Sequence, residues 1–160
     1  MRILFLLTFL VSIISAQNAV YFQQDVDYDI NVTLNDKEHT LSAYEKLNYK
    51  NNSPDTLNFI WFHIWPNAYK NDSTAFAKQK GSDSKFAQSD SAQRGFIDSL
   101  DFTVDGQTIN WELHPEWIDV VKLNLNFPLK PGSSIQIETP FFVKIPKDTK
   151  LQKKWQPSNS

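Results

Sequence analysis

Asp55 to Tyr69 reads DTLNFIWFHIWPNAY, and this stretch decides what kind of fold the chain can adopt. On an extended backbone, successive side chains point to opposite faces. Leu57, Phe59, Trp61, His63 and Trp65 then share one face, and Ile60, Phe62 and Ile64 share the other. Large apolar residues on both faces predict a strand that meets water on neither. The stretch is therefore expected as the central strand of a packed β-domain.

The flanking segments keep the period of two. In Tyr28 to Leu34, Tyr28, Ile30, Val32 and Leu34 share one face, and Asp29, Asn31 and Thr33 share the other. That pattern reads as a half-buried strand. After a turn at Asn35-Asp36-Lys37, Leu41, Ala43, Leu47 and Tyr49 alternate with Ser42, Lys46 and Asn48, which completes a hairpin. Glu45 interrupts the inward face; a strand edge or a basic partner would each accommodate it. Asn51-Asn52-Ser53-Pro54-Asp55 is a turn signal. Beyond it, Asn67 to Gly95 is rich in Ser, Asp, Lys and Gln. It reads as a long solvated surface loop with a short helical turn around Ser73 to Lys80.

Alternation returns with Phe96, Leu100, Phe102 and Val104. Asp105-Gly106 is a two-residue hairpin signal, and Ile109, Trp111 and Leu113 lead the return strand. Val121, Leu123, Leu125 and Phe127 alternate with Lys122, Asn124 and Asn126. Pro128 to Ser133 reads as a turn. Ile135, Ile137, Phe141, Val143 and Ile145 form the last strand, where Pro140 points to an edge or a bulge. The expected fold is all-β: an antiparallel β-sandwich or curled sheet of about seven strands with one long polar loop.

Residues 1–16 form a separate unit. Arg2 is followed by an apolar run from Ile3 to Ile14, broken only by Thr8 and Ser12, and then by the small pair Ser15-Ala16. This is the pattern of a secretory leader cleaved after Ala16. The run is short for a membrane span, which needs about 20 apolar residues. The domain is placed at residues 17–146, and 147–160 is a polar tail expected to be disordered. The whole chain has 16 basic and 18 acidic residues, and the leader removes only Arg2, leaving a net charge near −3. Such a balance gives no case for nucleic acid or an anionic membrane. There is no cysteine, so no disulfide, thiolate ligand, thiol nucleophile or lipid-anchored leader is available.

No constellation carries chemistry. His39, His63 and His114 stand far apart, and no His-Glu-x-x-His helix is present. Each reads as a structural histidine, because catalytic or metal sites need convergent ligands. No Ser lies in a Gly-x-Ser-x-Gly elbow, and four glycines build no phosphate loop. Asp25, Asp27 and Asp29 could hold a cation, but three acids on a wet face read first as solubility. Asn31, Asn51 and Asn71 begin glycosylation-type triplets, a short pattern of low specificity. Trp61 and Trp111 fall on apolar faces and are expected in the core; Trp117 and Trp155 are expected to be exposed. Neither a catalytic, a cofactor-binding nor a metal-ligating residue is assigned.

Taken together, YFQQDVDYDINVTL, LSAYEKLNYKNNSPDTLNFIWFHIWPNAY, FIDSLDFTVDG and LNLNFPLKPGSSIQIETPFFVKIP resemble the N-terminal β-domain of the aminopeptidase N family of zinc metallopeptidases. In particular they resemble secreted members from bacteria of the Bacteroidetes type. The resemblance covers Tyr21 to Pro146. It implies a non-catalytic domain of an exported zinc aminopeptidase, truncated before the catalytic domain that it would pack on and whose substrate cleft it would shape. The family's zinc ligands and general base lie in that catalytic domain, and none maps onto a residue here. Zinc belongs to the full-length family, and this chain alone is expected to be inactive. The implied location is periplasmic or extracellular, with no membrane contact after leader cleavage. The alternative is an autonomous secreted β-sandwich module that binds a polysaccharide or a surface protein.

Overall fold

The computed structural model describes residues 21–146. The leader at 1–16 and the tail at 147–160, with Trp155, lie outside the described residues. Within them the chain forms β1 (Asp25–Asn35), β2 (Thr40–Lys50), β3 (Leu57–His63), β4 (Phe96–Asp98), β5 (Thr103–Val104), β6 (Gln107–Thr108), β7 (Trp111–Leu113), β8 (Val120–Leu129) and β9 (Ser134–Lys144). One short α-helix, α1 (Ala75–Lys80), lies between β3 and β4. The fold is all-β and antiparallel, as the alternation predicts. Nine strands replace the expected seven because the Phe96–Leu113 region is chopped into short pieces. The Asp105-Gly106 hairpin is there, with positive φ at both residues, joining β5 to β6. The chain then leaves for the other sheet as β7.

The large sheet runs β1-β2-β9, and the far edge of β9 pairs with both β5 and β4. The small sheet runs β3-β8-β7. The sheets meet over Leu47, Ile60, Ile64, Phe102, Ile109, Val121, Leu123 and Ile137, all buried.

The central strand is β9 and not Asp55–Tyr69. β3 lies at the edge of the small sheet, with β8 as its only strand partner. Its Ile60 face is buried, together with Ile64 just beyond the strand, whereas Phe59 and Trp61 stand 41% and 46% exposed. The chain after Ile64 turns into a 3₁₀ segment, Trp65–Tyr69, where Pro66 interrupts the extended backbone. Pro140 sits inside β9 without a bulge, opposite Tyr44 of β2. On the other edge β5 pairs as far as Glu138 and β4 begins at Phe142. Proline thus falls in a gap where no strand needs its missing N–H. Pro128 likewise lies within β8, so the turn starts two residues later than the prolines suggest.

The outer face of the large sheet is polar. Asp25 pairs with Lys50 at 3.8 Å and Lys46 with Glu138 at 3.3 Å. The Tyr44 hydroxyl donates to Glu138 at 2.6 Å. That bond and Lys46 hold the Glu138 carboxyl below its ordinary range.

Residues 67–95 are better built than a solvated loop. Thr74 caps α1 by accepting from the Ala77 N–H. Tyr69, Phe76 and Phe86 form an aromatic cluster with centroids 4.7 to 6.5 Å apart. Arg94, 8% exposed, closes the segment. Its guanidinium donates to Asp72 at 2.8 Å, to Ser89 Oγ at 3.2 Å and to the Ser89 and Phe86 carbonyls, and it lies 4.8 Å from the Phe86 ring. Arg94→Met should therefore open this segment while sparing the sheets. Limited proteolysis should cut between residues 70 and 94 at least about tenfold faster, the factor expected for each 1.4 kcal/mol of local stability lost.

Candidate functional site

The strand register places one apolar face of the large sheet in rows of three. Val26, Tyr49 and Ile135 form one row, and Tyr28, Leu47 and Ile137 the next. Ile30, Glu45 and Thr139 follow, then Val32, Ala43 and Phe141, then Leu34, Leu41 and Val143. The small sheet covers the first rows on the β9 side. Toward β1 nothing among the described residues covers the face. Tyr28, Ile30, Val32 and Leu34 stand 61, 47, 46 and 60% exposed. The sequence assigns these four to one face correctly, but that face is open.

Where the covered and open parts meet, a cleft of about 470 Å³ opens. Val26, Tyr28, Glu45, Leu47 and Tyr49 line it from the large sheet, with Phe141 and Val143. Ile60 to Pro66 line it from the other side. The edge strand β3 is therefore the rim of this cleft. Glu45 is its one carboxylate. Glu45 lies mid-strand and has no basic partner among the described residues, so neither accommodation expected from sequence applies. Burial among apolar neighbours pushes its carboxyl above the ordinary 4.5. A raised folded-state value means the folded chain binds the proton more tightly than the unfolded one. The stability this gives is present at low pH and lost as pH rises through the raised value. Glu45→Gln should remove that loss, leaving urea midpoints flatter from mildly acidic to neutral pH than in the parent chain.

The outer face of the small sheet carries an aromatic row. Phe59 meets Trp61 edge-on at 5.7 Å, Trp61 meets His114 at 5.1 Å, and His114 stacks on Trp117 at 4.3 Å. Lys122 Nζ lies 4.9 Å from the Phe59 ring and 3.4 Å from Glu112. The first two ring pairs are inclined at 76° and 55°, so Phe59, Trp61 and His114 do not share one plane, whereas His114 and Trp117 lie within 12° of parallel. Trp117 is exposed, as the sequence suggests. Trp61 and Trp111 are not sealed in the core: they stand 46% and 36% exposed, Trp61 because it lies on the outer face of the small sheet and Trp111 because it lies on the edge strand β7.

The histidines do not converge. His114 Nδ1 accepts from the Glu116 and Trp117 N–H groups at 3.1 and 3.3 Å. His63 stacks on Trp65 at 4.5 Å. His39 takes a positive φ in the β1–β2 turn. Asp25, Asp27 and Asp29 alternate along the wet face of β1. Among the described residues no group of three His, Cys, Asp or Glu side chains is placed to hold a metal ion. No helix among them is long and apolar enough to cross a membrane.

No protein-family model matches the chain, and no curated protein matches it. Among solved structures it is similar to an M1 zinc metallopeptidase from Deinococcus radiodurans, at 16% identity and a TM-score of 0.46, over 79% of this chain and 21% of that one. A variant of the enzyme from that organism bound to a Tyr-Ser-Ala substrate gives 16% and 0.47, over 79% and 22%. A two-domain M1 zinc metallopeptidase variant bound to L-tryptophan gives 16% and 0.45, over 74% and 20%. The chain thus spans about a fifth of the length of these structures. At this similarity the likeness assigns no residue and no activity to this chain.

Proposed function

We propose that this chain is a non-catalytic β-domain whose open face docks on another polypeptide surface. The resemblance in sequence names that surface as the catalytic domain of an exported zinc aminopeptidase, whose substrate cleft the domain would help to shape. On this reading residues 1–16 direct export to the periplasm or beyond, and the docking domain is 17–146. One observation carries the docking: four consecutive inward positions of β1 stand about half exposed in a contiguous apolar row. Soluble monomers seldom expose such a patch unless it is an interface. The catalytic residues would belong to the covering domain.

A photo-crosslinking residue at Tyr28, on the open face, tests this in the native host, with Thr33 on the opposite face as control. The expected adduct at Tyr28 is a polypeptide segment carrying His-Glu-x-x-His, in the exported fraction. An adduct with a polysaccharide or an unrelated surface protein would favour the autonomous binding module. Equal crosslinking at both positions would overturn the docking face. The purified chain should show no turnover of aminoacyl reporter substrates with added zinc; chelator-sensitive turnover would sink the non-catalytic reading.

A further inference from the structure

We infer that Glu45 is the polar anchor of the open face: the surface that packs on β1 and β2 presents a basic side chain, a guanidinium or an ammonium, to this carboxylate. The inference rests on the docking reading and specifies the chemistry of the partner.

The register defines every neighbour of Glu45 on its face. Ile30 and Thr139 lie directly opposite. Ala43 and Leu47 lie two residues away along β2. Tyr28, Val32, Ile137 and Phe141 are the diagonal neighbours. Of the two residues directly opposite, only Thr139 has a polar side chain, and it is committed. Its hydroxyl donates to the Pro140 carbonyl at 2.9 Å and accepts from the Asp101 N–H at 2.9 Å. The lysines of β2, Lys46 and Lys50, point to the outer face and pair there with Glu138 and Asp25. No ion pair reaches Glu45 among the described residues. The other titratable residues lining the cleft are Tyr28, Tyr49 and His63.

In the uncovered chain, water entering through the cleft can solvate the carboxylate. A covering surface removes that water. A purely apolar cover would strand a carboxylate without water or a partner, which is strongly unfavourable. The same cover carrying one cation would exchange water for a charge-assisted hydrogen bond. A second copy of the chain, face to face, would bring the same apolar rows with a carboxylate and no cation. The charge pattern therefore selects a different surface, apolar with one basic group.

Three probes with the same eight-carbon tail separate the claims: octylguanidinium, octanol and octanoate. Binding to the whole chain is followed by NMR at neutral pH through the Glu45 carboxyl and the Tyr28, Val32 and Leu47 signals. Octylguanidinium should bind about tenfold tighter than octanol, the factor expected of a hydrogen bond to a charged group, and octanoate should bind weakest. Glu45→Gln should erase the preference and keep the octanol affinity. Ile30→Arg, which supplies a cation from within the chain, should erase it by a different route. Each variant is first checked for a parent-like spectrum. Equal binding of octanol and octylguanidinium, or a preference unchanged in Glu45→Gln, overturns the anchor while octanol binding upholds the docking face. Shifts from none of the probes on the face overturn both.

Discussion

Phe102→Ala should cost about 3–5 kcal/mol, the loss expected for truncating a fully buried phenylalanine. Against a total stability of about 5–15 kcal/mol, that leaves the chain marginal or unfolded. Phe102 has no exposed surface. Its ring meets Phe62 of β3 edge-on at 5.4 Å and Trp111 of β7 at 5.7 Å. These are the two outer strands of the small sheet, and Phe102 itself lies in the connection between β4 and β5 of the large one. One ring thus fills the joint between the sheets, and its loss opens a cavity that neither sheet can collapse into alone. The carbonyl of Phe102 also accepts from the Ile109 N–H at 3.2 Å, at the point where the chain leaves one sheet for the other. Urea denaturation should show a lowered midpoint with an unchanged slope. Phe102→Leu keeps most of the apolar fill and should lose much less. A drop below about 0.5 kcal/mol for Phe102→Ala, inside the range of ordinary surface changes, would mean that the sheets are held elsewhere.

The contrast between Phe102 and Trp61 shows which parts of the fold the sequence makes legible. Period-two alternation reports which residues share a face, and it does so correctly for β1, β2, β8 and β9. It does not report whether anything lies over that face. Phe102 and Trp61 both stand in alternating apolar runs; one is sealed and the other is half exposed. The Asp55–Tyr69 stretch reads as buried on both sides because an edge strand at the rim of a cleft and a central strand share the same composition. What distinguishes them is the neighbour on each side, a long-range property. The prolines mislead for a related reason. Pro140 is tolerated in the central strand because β5 and β4 leave a gap beside it, and no local pattern encodes that gap. Residues 67–95 look featureless because Arg94 gathers an aspartate, a serine, two backbone carbonyls and one ring, without any apolar periodicity. Glu45 is the one signal that sequence offered and could not interpret. A carboxylate in an inward position reads as an irregularity until the register shows that no partner stands beside it.

Asn51→Ala should cost about 3–5 kcal/mol, because it strands more than one buried polar group at about 1–3 kcal/mol each. Asn51 has no exposed surface. Its Nδ2 donates to the Asp55 carbonyl at 2.8 Å and the Leu129 carbonyl at 3.0 Å. Its Oδ1 accepts from the Ser53 N–H, the Ser53 hydroxyl and Gln24 Nε2. One side chain thus folds the turn that enters β3 and ties it to the end of β8. A glycan attached here would be incompatible with these contacts, which removes the Asn51 triplet as a modification site in the folded chain. Asn51→Asp separates size from donor chemistry. The carboxylate keeps the acceptors but points a charge at two carbonyl oxygens. Its pKa should rise, so the folded chain should hold the proton more tightly than the unfolded one. Stability of Asn51→Asp should therefore recover as pH falls through that raised value, because a protonated carboxyl regains one donor. Asn51→Ala should show no such added recovery relative to the parent chain. Urea midpoints at neutral and mildly acidic pH distinguish the two. Hydrogen exchange should show the loss concentrated in β3, because the turn at Asn51 sets where that strand begins. β3 is the rim of the cleft, so the same substitution should also loosen that rim without touching any residue that lines it.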